Sequence, residues 1–468
     1  MIEMPNRWLD LQQSRRILTL AAPVILAMLT QTGVNIVDTY FLKKLPYQDA
    51  SDAQAALTPS LMLLWAVGGF LSAISVGTLA MTSRRYGEGN VEAAGAVVPN
   101  AVVITLVGGV VFSALGWVFM PQMFGAIVSN PHVAELGTIY CRWRFVGIAS
   151  MAMTAAYKSF FDGIGKTHLH LWAAIVMNIF NAVLCYMLIF GNWGAPRLGI
   201  AGAGIAAATA SWVGLIVMAI FSRGEQYRER FKFYRLQNLS MTTVKDLLKL
   251  SVPGGLATVA VMTGFLLFTK IVGRLDAQSA TVVIRGVRVA ANGAATTIII
   301  EVLSATFFSC MAFGTATATL VGQSLGKKDP ELAASYAWTS VKLGALIFGV
   351  IGALIFAKAP QVMGVFSDAQ VVIDAGTAPL RLVSALGPIV AFGMILTQAL
   401  FGAGDTRYVM AVEVALHFLC LVPCAWLFGI TLNGGLMGIW LSAGVYAVLL
   451  TVFMSVRFAR GKWKTLVV

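Results

Sequence analysis

The chain has 468 residues, 58% of them apolar and only 11% charged, against about 25% charged in a soluble domain. So few charges cannot coat a globule of this size in water, which excludes a water-soluble globular fold. The net charge of +13 sits between apolar runs, so it reports orientation in a membrane rather than binding to nucleic acid.

Apolar runs long enough to cross a bilayer core of roughly 30 Å recur from end to end. They are too long and continuous for the alternating ten-residue strands of an outer-membrane barrel. The opening segment, MIEMPNRWLDLQQSRR, is followed by no small-residue cleavage site, so the first run is expected to remain as a helix. Twelve spans are predicted, at 17–42, 56–82, 94–120, 138–161, 169–191, 199–222, 246–273, 293–322, 336–357, 375–401, 408–429 and 436–457. With the N-terminus inside, 20 of the 33 Lys and Arg fall on the inner side, 11 outside, and Lys158 and Lys342 within spans. That bias predicts both termini in the cytoplasm and the inner membrane as the location.

Span one contains Pro23 and, deeper, Gln31, Asn35 and Asp38 at i, i+4 and i+7, a polar stripe on one face. A carboxylate deep in an apolar helix is costly and usually faces a cavity or a partner. Asp38 is therefore the first candidate for binding a proton or small cation, the rival being a loop-end residue near Lys43. Span four carries Arg142, Arg144 and Lys158, the deepest cations. Span five repeats the stripe pattern with Asn178, Asn181 and Cys185 at i, i+3 and i+7. The stripes of spans one and five are expected to line one polar pocket, unless the span-five residues serve packing alone. Residues 223–245, RGEQYRERFKFYRLQNLSMTTVK, read as an amphipathic basic linker on the cytoplasmic face or as a hinge. In span eight, Glu301 is a second candidate intramembrane acid, with Thr297 and Ser304 on its face. Its rival reading is a salt bridge to Lys342 or to an arginine between spans seven and eight. The four histidines, His132, His168, His170 and His417, look scattered. The five cysteines have no metal spacing and read as small buried hydrophobes. No HExxH or GxSxG motif is present, so neither an enzyme nor a bound cofactor or metal is expected.

The two halves repeat each other. LTLAAPVIL answers LKLSVPGGL, aligning Pro23 with Pro253, and AALTPSLMLLW answers AATTIIIEVLS. GTLAMTSRRYGEGNVEAA answers GTATATLVGQSLGKKDPELAA, FDGIGKTHLHL answers LFGAGDTRYVM, and LGIAGAGIAAA answers NGGLMGIWLSA. Six spans per half is an even number, so both halves enter from the same side as a parallel repeat. The expected division is an N-terminal six-helix lobe (1–222), the basic linker (223–245) and a C-terminal six-helix lobe (246–468). The expected fold is an all-α integral membrane protein of twelve transmembrane helices around a central cavity, an arrangement suited to alternating access.

These blocks resemble the multidrug and toxic compound extrusion (MATE) family over nearly the whole chain. The resemblance rests on PVILAMLTQTGVNIVDTYF, the glycine turn after span two, VGQSLGKKDPE, DGIGKT and GAGDT, and the Gly-Ala runs opening span six. It implies export of small organic, often cationic, compounds in exchange for H⁺ or Na⁺, by a protein expected to be a monomer in the lipid bilayer with no nucleic-acid partner. One family branch joins the first-helix aspartate to an Asn and, four residues later, an Asp on the fifth helix. Asn181 matches that Asn, but Cys185 stands in place of the Asp, which weakens a two-carboxylate Na⁺ site and favours proton coupling through Asp38. Pro23 matches a family proline that would permit helix bending. Another branch has a glutamate on helix seven, where this chain has Val261. Flippases of lipid-linked oligosaccharides or peptidoglycan precursors in the same superfamily are the closest alternative, and they would need several deep cations.

Overall fold

A lipid core offers no partner for a free backbone amide, so apolar runs of this length close their hydrogen bonds internally as helices. The computed structural model describes residues 10–43, 47–128, 130–278, 282–284 and 287–466. The side chains of 31–40, 42–43, 47–54 and 58 and of both strands lie outside the described set. Helix α1 (Leu11–Lys43) starts at Asp10, whose Oδ1 accepts the N–H groups of Gln12 and Gln13 at 2.9 and 3.0 Å. Span two is α2 (Tyr47–Ser72) and α3 (Ile74–Gly87), and span three is α4 (Val91–Ile127), capped by Asn90. Span four is α5 (Pro131–Val146) and α6 (Ile148–Gly163), broken at Gly147, and α7 (His168–Phe190) and α8 (Ile200–Arg223) are spans five and six.

The linker forms α9 (Glu225–Phe231), and span seven is α10 (Met241–Gln278). A short hairpin, β1 (Val282–Ile284) against β2 (Val287–Val289), precedes span eight, α11 (Ala291–Gly326). This hairpin is an addition to the helical plan. It arises where β-branched residues flank an Arg-Gly pair. Span nine is α12 (Pro330–Ala357), followed by the short α13 (Ala359–Phe366). Span ten is α14 (Gln370–Ala385) and α15 (Gly387–Ala403), bent by 53°. Pro388, which has no N–H to give the preceding turn, accounts for that bend. Span eleven runs from Thr406 to Thr431 as α16 (Thr406–Leu416), a π-helical turn at His417–Leu421, α17 (Val422–Trp426) and a second π turn at Leu427–Thr431. Span twelve is α18 (Gly435–Ala459).

Each of the twelve predicted spans thus falls on helix. Among the described residues nine helices are long and apolar enough to cross a membrane, and the bent α14–α15 pair makes a tenth. The other two are α1, part of whose side chains is outside the described set, and the α5–α6 pair, which carries Arg142, Arg144, Lys158 and Asp162. Positive φ at Gly165 (+79°) and Gly404 (+88°) builds the same turn before spans five and eleven, so the repeat read from the sequence is also a repeat of backbone shape.

Packing divides the chain into two compact units. One holds Leu20–Val259 with Gly322–Asp329, and the other holds the start of the chain to Thr19, Ala260–Val321 and Pro330–Val467. The packing boundary therefore falls inside α1, α10 and α11, whereas the repeat boundary lies at the linker. In the first unit, the linker is docked rather than free. Tyr227, Phe231 and Phe233 are buried among Tyr86, Phe160 and Phe161, with Phe160 meeting Phe233 edge-on at 4.9 Å. The Asn100 side chain clamps the linker's end, donating to Asn238 O at 2.8 Å and accepting from Ser240 N at 3.0 Å. Arg228, Arg230 and Arg235 remain exposed, the amphipathic pattern expected of this segment. In the second unit α12 packs on α15 and α15 on α18, over a core that includes Phe268 against Trp440 at 5.2 Å.

Candidate functional site: two intramembrane polar centres

The polar stripe predicted on span five is present on α7. Asn178, Asn181 and Cys185 are all buried, at 9%, 3% and 0% exposure, and Cys185 belongs to an apolar cluster that includes Leu184, Leu188 and Ile200. Neither amide atom of Asn178 has a hydrogen-bond partner among the described residues. A buried primary amide left unpaired is costly, and native structures keep few of them. Gln31, Asn35 and Asp38 lie on α1, but their side chains are outside the described residues. Phe41, three residues beyond Asp38, is described. Its ring packs against Tyr186 at 6.3 Å and against Phe190 at 5.9 Å, so α1 and α7 are neighbours beside Cys185. Pro23 lies inside α1, which continues through it. The helix survives because a proline removes one backbone donor and the surrounding turns hold.

Glu301 is exposed on α11, and the Ser304 hydroxyl donates to Glu301 O at 2.8 Å. The salt bridge considered for it is not formed with Lys342 or with Arg274, which lies 4.9 Å over the Trp426 ring. The side chains of Arg285 and Arg288 are outside the described residues. Two of the deep cations of span four are engaged locally, whereas the buried Nε of Arg144 has no hydrogen-bond partner among the described residues. Lys158 pairs with the fully buried Asp162 at 2.7 Å, and Arg142 Nε donates to Trp117 O at 3.0 Å.

A second centre escaped the sequence reading. Glu413 on α16 accepts a hydrogen bond from the Tyr446 hydroxyl of α18 at 2.7 Å. His417, one turn later, donates from Nδ1 to Glu413 O at 2.8 Å, and its ring meets Tyr446 edge-on at 4.7 Å. A carbonyl can only accept, so Nδ1 carries the hydrogen. Gly264 of α10 makes room for the imidazole: a Cβ there would stand 2.6 Å from His417 Cδ2. His417 is thus no scattered histidine. Carrying the FDGIGKT/LFGAGDT register forward pairs Thr167 with Thr406, Asn178 with His417 and Asn181 with Cys420, which would have exposed this centre.

Comparison with known proteins agrees with this two-fold plan. The MatE family model matches residues 23–187 and 253–427, one block in each half. The chain is 25% identical over 455 residues to the multidrug resistance protein PmpM of Pseudomonas aeruginosa, covering 95% of this chain and 91% of that protein. It is 24% identical over 427 residues to the multidrug resistance protein NorM of Vibrio vulnificus, covering 90% and 88%. Among solved structures, a MOP superfamily transporter from Pyrococcus furiosus is similar with a TM-score of 0.83 at 20% identity, covering 96% of this chain and 97% of that one. A eukaryotic MATE transporter is similar with a TM-score of 0.83 at 16% identity, covering 97% of both. With both halves matched in order, the chain belongs to the multidrug and toxic compound extrusion (MATE) family of membrane transporters.

Proposed function

We propose that this protein is a secondary active exporter of small organic, often cationic, compounds, driven by inward movement of H⁺ and coupled through Asp38. The observation that carries the reading is the packing of Phe41 on Tyr186 and Phe190, which sets the Asp38 helix beside the buried Asn178–Asn181–Cys185 stripe. A lone carboxylate among amides suits a proton. A hard cation such as Na⁺ needs a fuller set of oxygens, and Cys185 supplies sulfur where a second carboxylate would help. Coupling then requires proton and substrate to favour different states of the lobe, because a ligand that binds both states equally shifts nothing. The relatives named for multidrug resistance support the substrate class. The charge bias of the loops supports an inner-membrane location with both termini cytoplasmic, and each lobe's complete six-span set is consistent with a working monomer. A flippase would need several unpaired deep cations for a diphosphate, and here Lys158 is held by Asp162 and Arg142 donates to Trp117 O, which leaves Arg144 alone of the three on span four.

The test is efflux of a fluorescent organic cation from energised cells lacking their own pumps, comparing wild type with Asp38→Asn at matched expression. Export by wild type that follows an imposed pH gradient and is lost in Asp38→Asn supports the reading. Export that follows a Na⁺ gradient instead overturns the proton assignment, and no export across a broad dye panel overturns the exporter reading in favour of the flippase.

A further inference from the structure

We propose that Glu413, with Tyr446 and His417, forms a proton-binding site inside the C-terminal lobe, the counterpart on span eleven of the polar stripe on span five. The argument starts from placement. Glu413 lies two turns into an apolar span, where a charged side chain costs about 3 kcal/mol or more. Among the described residues no Lys or Arg stands within ion-pair distance of it, and its only ionic neighbour is His417 at 3.5 Å. That imidazole gives its Nδ1 hydrogen to a backbone carbonyl rather than to the carboxylate. One hydrogen bond from Tyr446 is what the protein provides. A proton on the carboxyl group removes the remaining charge at no cost in space.

A metal cation fits the site poorly. Hard cations take about six or more oxygen ligands. The centre offers one carboxylate and one phenol whose hydrogen already points at it. The titratable side chains that follow His417 along the chain are the thiols of Cys420 on the π turn and Cys424 on α17. The charged groups of the packed helices, among them Lys270, Arg274 and Asp276 on α10, Arg407 on α16 and Arg457 on α18, form no ion pair with Glu413. Helix α15 contributes no ionisable side chain, and α10 presents Gly264.

The site also has the features of a working centre rather than a sealed one. The Glu413 side chain keeps 12% of its surface exposed while His417 keeps 1%, so of the two groups the carboxyl is the less enclosed. The π turn begins at His417, with Val422 N–H donating to His417 O across the widened turn, immediately before Pro423. Such turns interrupt the regular ladder and often mark functional positions. Three spans meet here: seven through Gly264, eleven through Glu413 and His417, and twelve through Tyr446. A change of charge on Glu413 therefore acts directly on the bond that ties spans eleven and twelve. A role in transport rests on the exporter reading above, whereas the titration itself does not.

The experiment is infrared difference spectroscopy of the purified full-length protein in lipid nanodiscs, titrated with pH in an Asp38→Asn background. The expected result is a protonated-carboxyl C=O band that titrates, is lost in Glu413→Gln and shifts in frequency in Tyr446→Phe, which removes the donor to Oε2. A C=O spectrum that does not titrate, or one unchanged by Glu413→Gln, overturns the proposal. If Glu413→Gln does not fold, Glu413→Asp keeps a carboxyl at a different distance from Tyr446, and a band that fails to move in it overturns the proposal equally. No substrate is needed, so failure of wild-type dye export would defeat the exporter reading and leave this site standing. Conversely, a titrating Glu413 band together with unimpaired pH-driven export in Glu413→Gln would keep the site and remove it from the coupling.

Discussion

Corresponding helices of the two lobes carry their polarity in different ways. On α7 the stripe is uncharged, made of Asn178, Asn181 and Cys185, and the acid stands on the neighbouring α1 as Asp38. On α16 and its π turn the matching positions are His417 and Cys420, and the acid is Glu413, one turn earlier on the same helix. Its neighbour α10 contributes a gap at Gly264 rather than a carboxylate. A repeat thus preserves where polarity sits in the lobe without preserving which helix supplies the charge. What a membrane protein must arrange is the position of a buried charge and its donors in space, and either of two packed helices can deliver it.

This comparison can be broken at several points. The largest expected effect is on coupling: Asp38→Asn should lower pH-driven dye export roughly 5- to 150-fold, the span of a 1–3 kcal/mol coupling energy. Glu413→Gln measured in the same assay says whether the lobes share the work, because equal losses would mean that both centres bind the driving proton.

Next in size is the ion pair near the matching turns. Lys158→Met leaves Asp162 without its 2.7 Å partner at 0% exposure and should cost about 3 kcal/mol in thermal or denaturant unfolding of the purified protein. Arg457→Met, which breaks the bonds at 2.7 and 3.2 Å to Asp405, should cost less, about 1–2 kcal/mol, since Arg457 is 20% and Asp405 7% exposed. The reverse order would show that the C-terminal turn, not the N-terminal one, holds the tighter pair.

A smaller effect is expected from Gly264→Val. The added side chain collides with His417 and should destabilise the protein by about 1–3 kcal/mol, read as a drop in unfolding temperature. The smallest change in stability, under about 1 kcal/mol, should come from Asn178→Leu, because an apolar group of similar size replaces an amide with no partner among the described residues. Dye export should nevertheless fall in that variant. Retained export with unchanged stability would mean that the α7 stripe only packs.

Much of this protein is legible in its sequence. The twelve runs had to become helices, because in hydrocarbon only a helix or a closed barrel satisfies every backbone group, and the runs lack a barrel's alternation. Their order and the repeat of Pro23 with Pro253, and of FDGIGKT with LFGAGDT, determined the two-lobe plan and the family. Local chemistry also foretold the α7 stripe, since residues at i, i+3 and i+7 must share a helix face.

Tertiary structure decided the rest. The linker's docking depends on Phe160 receiving the rings of Phe231 and Phe233 and on Phe161 receiving that of Tyr227, a match between segments far apart in the chain. The span-ten bend and the first π turn follow from how Pro388 and Pro423, lacking an N–H, leave a carbonyl of the preceding turn unpaired. Glu413 drew no notice as one acid near the start of an apolar run. Its meaning comes from Tyr446, 33 residues away, and from a missing side chain at Gly264 on another helix. A periodic pattern reports which residues share one helix face, but a binding centre is a meeting of faces, and only packing brings those together.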